Sequence, residues 1–536
     1  MKHFEIPYVH ERGKRYRLLE MLPGILTWSV LALPFVLSLI NPTITVFFVL
    51  AYLLMWLAKA IGLNVRSIQG YKALKRHQIL PWTQMLQDLR GGSVDQPDKQ
   101  IPAWHYENVK RIQERPNPID PNEIVHAIII ATYNESRDVL EPTIQSVLAS
   151  DYDVSQVILV LAYEERGGSE VEEQAESLMR EYKKYFRHAF AVKHPKDIPG
   201  EVIGKGGNIT FAGRELEKYI RQEKLDPLNV IVTTLDADNR PHPKYLSTLS
   251  YVYAVTPDPL YISFQPIPMF TNNIWDAPAP MRIIATGNTF WNVVLSLRPH
   301  MLRNFSSHAQ SLQTLIDTDY WSVRTIVEDG HQFWRTYFRY DGNHEVYPIY
   351  LPVYQDAVMA KTYVKTLKAQ FIQLRRWAWG ASDIAYVLEM GFFRKNKIPR
   401  WNLIQKFLRL LEGHLSWATA PLILAFAAFI PLLLNPDNFA ANQLPMITRQ
   451  IHTIAMVGIF IAMLLSLKIL PPKPERYKRH RSIFMVAQWV LLPLTTIVYH
   501  SMAALYSQTR LMFGWYIGKF DVTEKTTIRD DKQKIT

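Results

Sequence analysis

Thr233-Thr234-Leu235-Asp236-Ala237-Asp238 sets two carboxylates two residues apart where a β-rich apolar run ends. Acids so placed at the carboxyl end of a strand can hold a hard divalent cation, which in turn neutralises a diphosphate. The same pattern also serves as a plain turn, so its meaning depends on company. Gly204-Lys205-Gly206-Gly207-Asn208 supplies a lysine and close-approaching backbone at a helix start, which suits phosphate. Thr132-Tyr133-Asn134-Glu135 follows the run Ile128-Ile129-Ile130-Ala131, where backbone donors and a carboxylate can hold a nucleoside or simply form a βα turn. Val327-Glu328-Asp329-Gly330-His331 offers adjacent acids among apolar and aromatic residues, fit for a general base or for a helix N-cap. Gln373, Arg376 and Trp377 lie at i, i+3 and i+4, on one side of a helix. Gln and Arg bond phosphate or sugar hydroxyls and Trp offers a flat apolar face, although Arg and Trp also anchor helices at membrane surfaces.

The elements that must position these residues follow from hydrophobic period. Val125–Ala131, Gln156–Ala162, Ala189–Val192, Val230–Leu235 and Leu260–Phe264 read as strands, with helical stretches at 138–149, 169–185, 207–223 and 242–254 between them. Such alternation predicts an α/β fold with a mostly parallel sheet covered on both faces. Outside it, residues 21–40 and 44–63 are each long enough to cross a bilayer and are separated by Asn41-Pro42-Thr43. More apolar runs follow at 415–434, 451–469 and 483–507. The spacing of Trp401, Ile404, Phe407, Leu408 and Leu411 predicts an amphipathic helix over 396–413 lying on the membrane. The expected organisation is a basic N-terminus with two spans (1–63), a linker (64–119), a catalytic domain (120–395), that interfacial helix, apolar helices (414–508) and a tail (509–536).

The chain has 536 residues, a mean hydropathy of −0.07 that averages apolar blocks with a charged middle, and a formal charge of +12. Basic residues cluster beside apolar runs: Lys2, Arg12, Lys14, Arg15 and Arg17 before the first, and Lys473, Arg476, Lys478, Arg479 and Arg481 between two later ones. This distribution predicts cytoplasmic, lipid-facing ends and no nucleic-acid partner. The absence of cysteine excludes disulfides, thiolate metal sites and a cysteine nucleophile. The run after the basic start meets a second apolar run with no small-residue cleavage site, which predicts a retained anchor.

Taken together, A-T-Y-N-E, K-G-G-N, D-A-D, E-D and Q-L-R-R-W resemble the membrane family 2 glycosyltransferases, which include cellulose, chitin and hyaluronan synthases. The resemblance spans residues 120 to 380, the flanking helices and Phe520-Asp521-Val522-Thr523-Glu524-Lys525, similar to the family's gating loop. It implies a GT-A fold and an inverting single displacement from a nucleotide-sugar, expected to be UDP-linked. By that resemblance Thr132, Tyr133 and Glu135 contact the nucleoside, Lys205 the nucleotide, Asp236 the nucleotide or its phosphate, and Asp238 a Mg²⁺ or Mn²⁺ ion. Asp329 is the base for the acceptor hydroxyl, and Gln373, Arg376 and Trp377 form the acceptor and diphosphate platform.

Two departures bear on substrate. Where the family carries Asp-Asp-Gly-Ser after the second strand, this chain has Ala162-Tyr163-Glu164-Glu165-Arg166-Gly167-Gly168-Ser169, leaving Glu164 or Glu165 to recognise the base. Ser306-Ser307-His308 to Ser311 stands where a glycine-serine acceptor loop is expected. The sequence therefore predicts a multi-pass enzyme of the plasma (cell inner) membrane, with its catalytic domain cytosolic, that extends a polysaccharide or glycan. Transfer of one sugar to a polyprenyl phosphate or other lipid is the alternative acceptor, and a non-catalytic nucleotide-sugar-binding module the alternative class. A full span at 483–507 would carry the F-D-V-T-E-K tail away from the active site, whereas a re-entrant hairpin broken at Pro493 would return it, and the sequence leaves both open.

Overall fold

The computed structural model describes residues 4–92, 100–478 and 480–518. The segment Phe520–Lys525 singled out above lies outside the described residues. Eight strands form one sheet: β1 (Val125–Thr132), β2 (Val157–Glu164), β3 (His188–His194), β4 (Val230–Asp236), β5 (Arg240–Pro241), β6 (Ile262–Phe270), β7 (Ala309–Ser311) and β8 (Glu345–Gln355). Their order is β3-β2-β1-β4-β7-β6-β8-β5. The first four run parallel, as do β6 and β8, while β7 is antiparallel to β4 and β6, and β5 to β8.

The sheet's two faces can be read from β1. Ile128 and Ile130 pack with Leu140, Ile144 and Leu178 on one side, while Ala127 and Ile129 meet Ile209, Leu216 and Ile220 on the other. A period of two with apolar side chains at every position is what a strand needs when helices cover both faces. Each such side chain contributes about 1.5–3 kcal/mol on burial. The expected α/β architecture is therefore present, and its five predicted strands are β1, β2, β3, β4 and β6.

The expected linker at 64–119 is mostly helix. The second apolar helix continues as Pro42–Ile79, and Trp82–Gly91 and Ala103–Gln113 follow. Trp82, Met85, Leu86 and Val109 join the core of the α/β domain, burial that the polar average of this stretch hides. The helix predicted over 396–413 is part of a longer one that runs Arg400–Phe426, with Trp401 and Leu408 exposed. Gly413 does not end it, since one glycine costs only about 1 kcal/mol in a helix interior, and the helix also continues past Pro421. Its first turns dock on the domain through Leu403, beside Trp334 and Tyr337, instead of lying free on a surface.

Among the described residues five segments are long and apolar enough to cross a membrane: Lys14–Ile40, Pro42–Ile79, Arg400–Leu434, Phe439–Ile469 and His480–Phe513. The first four form two hairpins whose far ends meet, since Asn435 donates to the carbonyl of Ser38 at 3.0 Å. Their near ends meet the α/β domain: Arg15 pairs with Glu389 at 2.6 Å, and Leu74 and Ile469 pack with Ile267 and Met269. The fifth behaves differently. Near its start Arg481 donates to the carbonyl of Trp275 at 2.8 Å and Gln488 accepts from Arg282 at 2.6 Å. Near its end Ser507 donates to the carbonyl of Arg375, Gln508 to that of His414, and Arg17 to those of Leu511 and Met512. Both ends thus lie on the domain side of the bundle. Pro493 does not open a hairpin: it occupies the first turn of a short α segment, with a 3₁₀ turn before and a π turn at 496–501 after it. These local adjustments accommodate its missing N–H without breaking the helix.

Several basic residues expected to face lipid instead bond protein groups: Arg12 and Arg17 bond Glu20, Arg15 bonds Glu389, and Arg476 bonds Asp276 at 2.8 Å. Because the native chain lacks cysteine, the path of the fifth segment has a clean test. Asp437→Cys and Gly518→Cys should react with an impermeant maleimide from opposite sides of sealed vesicles. Reaction from the same side would place His480–Phe513 across the bilayer.

Candidate active site

Parallel pairing brings the chemistry-bearing residues to one edge. In register, Ala131 faces Asp236, Thr132 faces Tyr163, and Glu164 faces His194, so the ends of β4, β1, β2 and β3 line up side by side. The helix after β3, Lys205–Gln222, begins beneath them. Asn208 in its first turn donates to the carbonyls of Thr132 at 3.2 Å and Ala162 at 3.0 Å, clasping the ends of β1 and β2.

Lys205 is the hub. Its ammonium lies 2.9 Å from Asp236 and 3.3 Å from Asp329, with its side chain 8% exposed. Burial alone would lower its pKa, but Asp236, Asp329 and Glu328 outweigh that and hold it above the ordinary lysine value. Ser306 donates to the other oxygen of Asp236 at 2.8 Å. Asp329 opens helix Glu328–Arg339, and Glu328 beside it is pushed up to about 8, by burial first and then by Asp329, with Lys205 and Arg376 opposing.

Asp238 is buried. Its Oδ2 accepts from the backbone N–H of Asp356 at 3.0 Å, and its carbonyl accepts from Asn272 at 3.0 Å. Among the described residues no group of three His, Cys, Asp or Glu is arranged to hold a metal. The donors present still fit Mg²⁺ or Mn²⁺ in the mode in which one or two carboxylates bind and phosphate oxygens and water complete the shell.

Glu135 serves its own turn. Its Oε2 accepts from the Thr132 hydroxyl at 2.8 Å and from the backbone N–H of Tyr133 at 2.8 Å and Asn134 at 3.3 Å. Glu164 is buried between Arg166 at 3.0 Å and His194 at 3.2 Å, and Glu165 accepts from the N–H of Lys196 at 2.8 Å. His194 also meets Glu201 at 2.9 Å. Burial opposes its protonation, yet hydrogen bonds to Glu164 and Glu201 prevail and raise its pKa to about 9.

Gln373, Arg376 and Trp377 share helix Tyr363–Ala378. Gln373 accepts from Gln370 at 3.0 Å, Arg376 acts electrostatically on Glu328, and the Trp377 ring stands 6.1 Å from Phe270. Trp377 packs with Met485 and Tyr499 of the fifth apolar segment, so this platform sits at the membrane face of the domain.

Three residues beyond those predicted belong here: Asn208, Asp356 and His308. His308 is fully buried, donates through Nδ1 to the carbonyl of Phe305 at 2.8 Å, accepts at Nε2 from Trp321 at 3.1 Å, and stands 3.5 Å from Asp329. Burial lowers its pKa, against the pull of the nearby Asp329 carboxylate. A histidine beside serines at 306–308 was the available signal, but only the fold brings it to Asp329.

The His194 clamp has a definite pH dependence. Its contribution to stability is fully present below pH 6.5 and is lost as pH rises through about 9. The difference in melting temperature between wild type and His194→Gln should shrink over that window. A constant difference would show that the pair is not ionic.

No family model matches the chain, and no curated protein matches it. Among solved structures it is similar to a mannosyltransferase from Pyrobaculum calidifontis in complex with GDP-Man and Mn²⁺, with 15% identity, 76% of this chain and 99% of that one covered, and a TM-score of 0.40. Residues 1–349 of S. aureus TarS in complex with UDP-GlcNAc are similar at 12% identity over 74% of this chain and 93% of that one, with a TM-score of 0.35. GalNAc-T7 with UDP, GalNAc and Mn²⁺ follows at 12% identity over 55% and 58%, with a TM-score of 0.32. Likenesses this distant carry no substrate or reaction to this chain.

Proposed function

We propose that the chain is a membrane-bound family 2 glycosyltransferase with a GT-A domain, moving a sugar from a nucleotide-sugar to an acceptor hydroxyl with inversion. The observation that carries this reading is the buried ammonium of Lys205 shared by Asp236 and Asp329, 2.9 and 3.3 Å away, at the carboxyl edge of a parallel sheet. A cation between an acid that faces the nucleotide and an acid that faces the acceptor suits a diphosphate leaving from one side while a hydroxyl attacks from the other.

In this reading the nucleoside lies against Thr132, Tyr133 and Glu135, and the diphosphate meets Lys205 and Arg376. Asp238, with Asp236 beside it, would hold Mg²⁺ or Mn²⁺, which supplies positive charge to the departing diphosphate when bound. Asp329 takes the proton of the attacking hydroxyl, because an alcohol is a poor nucleophile until it loses that proton. His308 is a positioning residue for Asp329. Glu164 reaches a base only through His194 and Arg166, whose hold on it favours Glu165 as the more available contact.

The acceptor is a growing glycan at the membrane. A lipid-linked acceptor is the second reading, favoured by the packing of Trp377 against the fifth apolar segment. The domain side of the bundle is cytosolic and the membrane is the cell's inner one, where nucleotide-sugars are supplied.

Purified protein screened against nucleotide-sugars should release free nucleotide with one donor in a Mn²⁺- or Mg²⁺-dependent way, and Asp329→Asn should lower transfer by roughly 100-fold or more. Full transfer by Asp329→Asn would remove the assigned base. Polymer and single-sugar lipid differ in size and extraction, which separates the two acceptors. His308→Gln should reduce kcat by about tenfold with KM for donor little changed and displace the pH–rate profile, as misplacement of a base does. An unchanged profile would make His308 a packing residue only.

A further inference from the structure

Away from the carboxylate cluster, several cations are held with no acid to pair them. Lys406 is only 9% exposed, and its ammonium lies over the rings of Phe333 at 5.4 Å and Tyr337 at 5.5 Å. The Arg303 guanidinium lies over the same Phe333 ring at 4.1 Å and over Trp334 at 5.1 Å. Two cations therefore share one aromatic ring. Among the described residues no carboxylate lies within ion-pair distance of Lys406, Arg303 or Arg409, and no hydrogen bond engages the ammonium of Lys406. Ring faces offset part of the cost of burying a charge, but not the repulsion between two like charges.

These groups surround a cleft of about 170 Å³, lined by His300, Phe333, Glu345, Asn402, Lys406 and Arg409 among others. That volume is below the usual range for a nucleotide or drug-sized ligand and suits a small group such as a phosphate. Glu345 is exposed and is the one acid of the lining. Arg409 donates to the carbonyl of His300 at 3.2 Å, which closes one end. One turn beyond Arg409, Glu412 pairs with Lys59 at 2.5 Å, whose ammonium lies 4.7 Å from the Trp56 ring. Glu412 just precedes the apolar run 415–434, and Trp56 and Lys59 lie in the last turns of the run 44–63; charged and aromatic residues so placed mark the level of lipid headgroups.

We propose that this cleft binds a phosphate-bearing anion, either the headgroup of an acidic phospholipid entering from the bilayer or free phosphate from solution. Lys406, Arg409 and His300 are its direct partners, and Arg303 supplies charge from behind the Phe333 ring. The proposal is independent of the glycosyltransferase reading, since none of these residues belongs to the carboxylate cluster. It names what would neutralise the excess charge at this junction.

The test uses the full chain. Protein reconstituted in phosphatidylcholine with a minor share of phosphatidylglycerol is transferred to detergent, and the lipids that stay bound are counted by native mass spectrometry. In parallel, the melting temperature of lipid-stripped protein is read in phosphate against chloride at equal ionic strength. Preferential retention of phosphatidylglycerol identifies a lipid site, and stabilisation by phosphate alone identifies a soluble ligand; either supports the proposal. Lys406→Met and Arg409→Gln should each weaken the response by about fivefold. Arg409 is partly exposed, so its variant tests the site even if Lys406→Met does not fold. Equal retention of both lipids together with no effect of phosphate would overturn the proposal, as would an undiminished response in Arg409→Gln.

Discussion

One buried ammonium holds the carboxyl edge of the sheet together. Lys205 begins a helix, Asp236 ends a strand, and Asp329 with Glu328 begins another helix, so three elements meet through a single charge. Without it, carboxylates would face one another in a site that excludes much of the water. Breaking a fully buried pair costs about 3–5 kcal/mol, and here the cost is smaller because Asp236 and Asp329 are 36% and 20% exposed. The glycines after Lys205 reflect how close the approach is. A Cβ on Gly206 would meet the carbonyl of Ser322, and one on Gly207 would lie 2.6 Å from Glu201 and 3.3 Å from His194. The K-G-G-N stretch is thus a packing requirement as much as a phosphate motif.

Around that hub the domain is tied inward from several directions. His331, two residues after Asp329, bonds Asp383 at 2.7 Å, which joins the helix that begins at Glu328 to the turns that follow Gln373–Trp377. Glu5 of the N-terminal segment pairs with Arg335 at 3.2 Å, and Arg324 lies 3.5 Å from the centre of the Tyr8 ring. The loop from 298 to 308 links the cationic junction at Arg303 to Ser306 and His308 at the acids. Segments distant in sequence therefore converge on the residues flanking one lysine.

Much of this was legible beforehand where pattern and physics coincide. The apolar runs of β1, β2 and β4 have no competing reading, and D-A-D falls where β4 ends. What was missed has physical causes. Pro348 and Pro352 interrupt β8, and Pro266 and Pro268 interrupt the second half of β6 near a register shift, so residues that cannot donate a ladder hydrogen bond disguise β8 and shorten the predicted β6. His308 and Asp356 act through contacts made across the sheet, for which sequence spacing carries no signal. The polar stretch 64–119 conceals helices because their buried faces are narrow, with Trp82, Met85, Leu86 and Leu89 recurring among charged neighbours. The fifth apolar segment has the length of a span, and only its partners at both ends place it along the domain side.

Four helices meet the domain at their near ends, and His480–Phe513 runs along the same side from Trp275 to Arg17. A domain on one flexible linker could rise, tilt and sweep a volume above the bilayer. This one has several separate moorings, so rotation about any one of them is blocked by the others. The distance from membrane to Lys205 is consequently a fixed property of the molecule, a built-in ruler. Under the proposed function, an acceptor must bring its hydroxyl to that height, which selects among acceptors by reach before any chemical group is recognised.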